Sequence, residues 1–178
     1  DINHRERFEK LVNEFEIDPS LVLVGSFIIE RDEDGLKYLR VVPCRKSDML
    51  QSIWLRNPFN HMSVAYRKSA ILSAGGYRDV PYREDFELWA RVLASKGNCK
   101  NLNCALVTAN VGNGMYKRRG GISQLKGEAL LQKTLRQYKH SGNIKSSISF
   151  FVRCTNLLIH HNLRKFIYVR FLRSRPTI

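Results

Sequence analysis

A chain of 178 residues, 43% apolar and 26% charged, is long enough to bury one good core and too apolar for a disordered class. No run approaches the about 18 uninterrupted apolar residues of a membrane-spanning helix, so none is predicted. The formal net charge of +14 is uneven, because residues 113–178 carry fourteen Lys and Arg against the single acid Glu128.

The opening residues, Asp-Ile-Asn-His-Arg-Glu-Arg, hold neither an initiator Met nor an apolar leader, so the chain reads as a segment of a longer protein. Residues 4–15 follow a helical period, with Phe8, Leu11, Val12 and Phe15 on one stripe and Asp1 or Asn3 available as a cap. Asp18-Pro19 breaks that pattern, and the apolar run 21–30 predicts a buried strand. Asp32-Glu33-Asp34-Gly35 then turns the chain into a second strand over 36–42; these acids read as turn residues rather than as metal ligands. Ser47 is placed to cap a helix reaching residue 55, with Leu50, Ile53 and Trp54 inward, and Asn57-Pro58 ends it. A short strand over 62–66 and a helix over 68–74 follow, the latter closed by Gly75.

The next helix opens on Glu84-Asp85. Phe86, Trp89 and Leu93, with Leu88 and Val92, fall on one side, and Gly97 is read as the stop. Two β segments, 99–102 and 105–111, lead into a loop in which glycines bracket Lys117, Arg118 and Arg119. A helix is predicted over 123–138. Two more over 144–172 are split near His160-His161-Asn162, which reads as a helix junction. Cys44, Cys99, Cys104 and Cys154 form no CxxC pair and lie at no zinc-ligand spacing, which predicts free thiols in a reducing compartment.

Several residues carry two readings. Glu84 and Asp85 are either an acidic first turn, favoured by the helix dipole, or a carboxylate aimed as a general base. Lys117, Arg118 and Arg119 form either a solvated loop or a phosphate clamp; the GxGxxG and GxxxxGK[ST] signatures are both absent. Tyr77 and Tyr82 offer either ordinary packing or an aromatic platform for a sugar face. His61 in its loop reads, on its own chemistry, as structural or solvent-exposed. The basic last third predicts a polyanion, an anionic membrane surface or phosphate groups as partner.

Four segments occur in order at short intervals: Asn57-Pro58-Phe59-Asn60-His61, Tyr66-Arg67-Lys68-Ser69, Gly75-Gly76-Tyr77, and Tyr82-Arg83-Glu84-Asp85-Phe86-Glu87-Leu88-Trp89. Together they resemble the C-terminal half of bacterial family 2 glycosyltransferases, of the type that builds exopolysaccharide, capsule and lipopolysaccharide. The resemblance implies an α/β chain. Residues 1–121 would form the acceptor-side part of a GT-A domain, without its donor-binding N-terminal half, and residues 122–178 a basic helical region. It implies inverting transfer of a sugar from a nucleotide-diphosphate donor to a glycan hydroxyl, with Asp85 as base and Glu84 either orienting Asp85 or contacting the acceptor. Asn60, His61, Tyr82 and Trp89 would bind substrate, Arg118 and Arg119 the donor diphosphate, and Glu87, further into the helix, would matter little.

Asp1-Ile2-Asn3 looks like the end of the family's metal-binding Asp-x-Asp signature, whose acids are expected upstream of Asp1. A divalent Mn or Mg ion is therefore implied in the complete enzyme, with no metal site in this chain and no activity of this segment alone. The implied partners are a nucleotide-diphospho-sugar, a glycan acceptor carried on a lipid, and an anionic membrane surface met by residues 144–178. The implied location is the cytoplasmic face of the cell membrane. The alternative is a non-catalytic basic module that binds membrane or nucleic acid. Against nucleic acid, the sequence holds no helix-turn-helix spacing, zinc-finger spacing or aromatic ribonucleoprotein motif.

Overall fold

The structure is a computed structural model that describes residues 1–111 and 122–158. The apolar run becomes the central strand, β2 (Leu21–Arg31). It pairs in parallel along its whole length with β5 (Asn98–Asn110), and β1 (Ile2–Asn3) lies antiparallel on the far side of β5. The other edge of β2 is shared by two antiparallel strands. β3 (Lys37–Arg40) takes positions 28–31, and β4 (Ala65–Tyr66) takes Leu23 and Val24. The two β segments expected after residue 98 are one strand. Its ladder absorbs Asn103 and Cys104 as a bulge between Leu102, opposite Ser26, and Ala105, opposite Phe27.

Helices cover both faces, giving an α/β fold. On one face α1 (Arg7–Ile17) sits over Leu21, Val24 and Leu106. Only half of its predicted stripe is used: Leu11 is buried and Phe15 packs beside it, whereas Phe8 and Val12 are 65% and 52% exposed. The other face carries the main core, where Leu23 and Cys99 meet residues of four helices. These are α2 (Lys46–Ser52), α3 (Lys68–Ser73), α4 (Glu84–Leu93) and α5 (Ile122–Gln137). Leu131 and Leu135 of α5 lie in the same cluster as Trp89. The sixth helix, α6 (Asn143–Leu158), packs on α5.

Local detail departs from the expected pattern in several places. Arg45, not Ser47, occupies the cap position of α2, and the helix turns Met49 inward while Leu50 stays exposed. The strand expected over 62–66 is a 3₁₀ turn (His61–Ser63) followed by β4. Gly75 closes α3 at φ +85°, as its αL assignment requires. α4 stops at Leu93; Gly97 lies beyond its end, close against Val22. All four cysteines are free, and among the described residues no helix is long and apolar enough to cross a membrane. The basic loop around Arg118 and Arg119 and the junction at His160-His161 lie outside the described residues.

Candidate active site

The first turn of α4 is held from two directions. Behind it, Glu87 and Arg91, both about 1% exposed, form an ion pair with Nη2 to Oε2 at 2.6 Å and Nε to both carboxylate oxygens at 3.0 Å. Arg91 also donates to the carbonyls of Ala74 and Gly76, and so fixes the glycine turn after α3. Thr134 of α5 donates to Glu87 Oε1 at 3.2 Å, and Arg78 lies 3.4 Å from it. Glu87, expected to matter little for turnover, is the hub of the buried polar network under α4, where removing one partner strands a charge at about 3–5 kcal/mol of stability.

In front of α4, the turn Pro81-Tyr82-Arg83 is clasped by α5. Arg83 Nε donates to Glu128 Oε2 at 3.0 Å, and Arg153 Nε of α6 lies 3.4 Å from Glu128 Oε1. Gly127 permits the approach, because a Cβ there would stand 1.9 Å from the Pro81 carbonyl oxygen. Tyr82, at the turn, adopts φ +60°, a left-handed conformation costly for a residue with a side chain. Its ring is 54% exposed. Glu128, the single acid of the basic third, is thus spent inside the protein.

These supports leave Glu84 exposed and Asp85 half-buried on the first turn of α4. Asp85 Oδ2 accepts from Asn57 Nδ2 at 2.9 Å. The Asn57 Oδ1 in turn accepts from the Phe59 N–H at 3.1 Å, so the amide is fixed at both ends. Beside them lies an aromatic group. His61 Nε2 is 3.1 Å from the Tyr77 hydroxyl, and the rings of His61, Tyr66 and Tyr77 surround Trp89 with centroids 6.0, 6.4 and 6.5 Å away. Tyr66 and Tyr77 are 40% and 45% exposed. Partial burial, then the neighbouring Tyr66 and the negative charges of Asp85 and Glu84, push the Tyr77 phenol up to about 12. Tyr77 therefore stays protonated, with its hydroxyl under the influence of both carboxylates.

The structure brings Glu84, Asp85 and His61 into one region, with Tyr77 between them. Asn60 and Trp89, expected at the substrate surface, are instead internal. Asn60 is 1% exposed and donates to the Ser26 carbonyl at 2.9 Å, while Trp89 is fully buried against Phe59 beneath the exposed rings. Asn57 was missed as a site residue, since Asn-Pro reads first as a helix stop. Among the described residues no three His, Cys, Asp or Glu side chains are placed to hold a metal ion. Asp1 makes a backbone contact, its Oδ1 accepting from the Asn110 N–H at 3.2 Å.

No protein-family model matches the chain. It is 34% identical over 168 residues to the amylovoran biosynthesis glycosyltransferase of Erwinia amylovora, a match covering 94% of this chain and 63% of that protein. It is 37% identical over 176 residues to an uncharacterized glycosyltransferase of Haemophilus influenzae, covering 98% and 65%. The chain is a relative of bacterial glycosyltransferases. A further relative, 29% identical over 177 residues, is the UDP-Gal:alpha-D-GlcNAc-diphosphoundecaprenol beta-1,3-galactosyltransferase of Escherichia coli, with coverage of 97% and 63%. The chain spans somewhat less than two thirds of the length of these curated relatives.

Proposed function

We propose that this chain carries the acceptor side of an inverting glycosyltransferase of family 2 with a GT-A fold. The reaction is transfer of a sugar from a nucleotide-diphosphate donor to a hydroxyl of a surface glycan. The observation that carries the reading is the Asp85 carboxylate, held at the mouth of α4 by Asn57 and flanked by exposed aromatic rings. In the proposed step the acceptor oxygen attacks the anomeric carbon, the bond to the diphosphate breaks with its electron pair, and Asp85 takes the hydroxyl proton. A single displacement needs one base and no protein nucleophile, which agrees with one supported carboxylate at the centre.

In this reading Tyr77, with Tyr66 and His61 beside it, offers the acceptor a face to stack on and hydroxyl and imidazole groups to hydrogen-bond. Trp89 keeps those rings in place from below. Glu84, exposed and one residue away, contacts the acceptor or orients Asp85. Arg118 and Arg119 belong to the proposal as groups for the departing diphosphate. In this reading the acceptor is carried on a lipid and the enzyme works at the cytoplasmic face of the membrane; the name of the Escherichia coli relative, whose acceptor is a diphosphoundecaprenol, supports the lipid carrier.

The reading is tested with membranes that hold the complete enzyme of which this chain is the acceptor side, supplied with a panel of labelled nucleotide-diphosphate sugars. The wild type transfers label to glycan, and Asp85→Asn slows transfer by a factor of about 10² to 10⁴ while donor binding survives. Transfer at the wild-type rate by Asp85→Asn would return the residue to the role of a helix-terminal acid.

A further inference from the structure

Asp85 stands where two segments meet. One is the 81–83 turn with the start of α4; the other is the loop after α2, which brings Asn57 to the carboxylate. α6 touches both. Ser149, fully buried, donates from Oγ to the Trp54 carbonyl at 2.6 Å, three residues before Asn57. Arg153, one helical turn further on, donates from Nε to the same Ser149 Oγ at 3.1 Å. That Nε also lies 3.4 Å from Glu128 Oε1, while Glu128 Oε2 accepts from Arg83, the residue in the cap position of α4. The guanidinium carbon of Arg153 sits over the Phe86 ring, 4.8 Å from its centroid. Arg83 and Phe86 bracket the two acids in sequence, so one side chain of α6 reaches both flanks of Glu84-Asp85: Arg83 through Glu128, and Phe86 directly.

The packing of α6 on α5 has hydrogen bonds of its own. Ser146 Oγ donates to Gln132 Oε1 at 2.9 Å and Gln132 Nε2 donates to Ser149 Oγ at 3.1 Å, a seam of serines and glutamine between the helices. Arg153 adds a contact of another kind. Its side chain is 15% exposed and turned toward a carboxylate that is fully buried. Taking a guanidinium out of water is unfavourable unless it is paired, and apolar packing would stabilise such a place as well or better. What a guanidinium gives there is geometry, because its flat fork meets a carboxylate and an aromatic face at once. We propose that Arg153 is a positioning residue for Asp85, holding the first turn of α4 in register with Asn57, an assignment that rests on the reading of Asp85 as the base.

The test compares Arg153→Lys and Arg153→Met in the complete enzyme, with the labelled sugar nucleotide that the wild type transfers as the probe. Rates are taken per folded molecule, the folded fraction coming from urea unfolding. Lysine keeps a charge opposite Glu128 but cannot also lie flat on Phe86, and methionine keeps only an apolar stem. Arg153→Lys lowers kcat by about threefold or more and Arg153→Met by about tenfold or more, with the donor KM unchanged, because a displaced carboxylate slows turnover without loosening the donor. Combined with Asp85→Asn, neither substitution slows transfer further. A side chain that served packing alone would lower the folded fraction and leave kcat per folded molecule at the wild-type value. That result in Arg153→Lys would overturn the proposal, whether or not Arg153→Met folds. Losses that multiply with that of Asp85→Asn would overturn it too. Wild-type transfer by Asp85→Asn would end the reading of the site, and this role with it; a slow Asp85→Asn beside a normal Arg153→Lys would end the positioning role alone.

Discussion

Asn57 fixes the direction of Asp85 with one end of its amide and is itself fixed by the Phe59 backbone with the other. If its contribution runs only through that carboxylate, its removal costs nothing once the carboxylate is gone. Asn57→Ala should lower kcat by about 10- to 100-fold with little change in KM, and the double variant with Asp85→Asn should be no slower than Asp85→Asn alone. Independent, multiplying losses would mean that Asn57 acts on the fold rather than on Asp85. The position of Asp85 was legible in the sequence, because the spacing of Phe86, Trp89 and Leu93 fixes where α4 begins. The same spacing already put Trp89 inside, and only the resemblance moved it to the substrate surface. The Asn57 bond was not legible, since it joins residues 28 apart whose pairing exists only once the core has formed.

At the scale of elements, the turn that leads into Glu84 and Asp85 depends on how closely α5 can approach it. Gly127 stands against the Pro81 carbonyl, a backbone atom that cannot swing aside. Gly127→Ala should therefore destabilise the protein by about 1–3 kcal/mol in urea unfolding. It should also lower transfer in the fraction that remains folded, because the 81–83 turn leads directly into Glu84 and Asp85. Normal turnover per folded molecule would show that the turn yields without moving the carboxylates. Hydrophobic periodicity found α5 to within a residue at its ends, yet could not show the clasp, because Glu128 and Arg83 both read as surface charges. The inner face of α6 was not legible either, because it is a hydrogen-bonded seam of serines and glutamine that no apolar period marks.

For the whole molecule, three titrating groups bound the pH range of stability. Burial lowers the His140 pKa, even though its Nε2 lies 2.7 Å from the Ala90 carbonyl. The unfolded chain then takes up this proton first, and stability falls as pH drops below about 6.5. Burial pushes the Cys99 thiol up to about 12, as partial burial does the Tyr77 phenol. Here the unfolded chain loses its protons first, so stability falls as pH rises above about 9 for the thiol and about 10 for the phenol. Urea midpoints should be highest near about pH 7.5 and lower on both sides, and Cys99→Ala should shallow the alkaline arm; an unchanged alkaline arm would remove the thiol from the account. The α/β class was legible at this scale from one long apolar run and its hairpin, but the seat of the last third was not, since net charge names a partner and not a position. The parallel ladder of β2 and β5 also sets the order of events during synthesis. Leu21 pairs with Asn98 and Arg31 with Asn110, so the whole of α2, α3 and α4 must leave the ribosome before the ladder can close. At about 5–20 residues per second, that leaves one edge of this long apolar strand unpaired for several seconds. For that interval the nascent chain presents a template for aggregation.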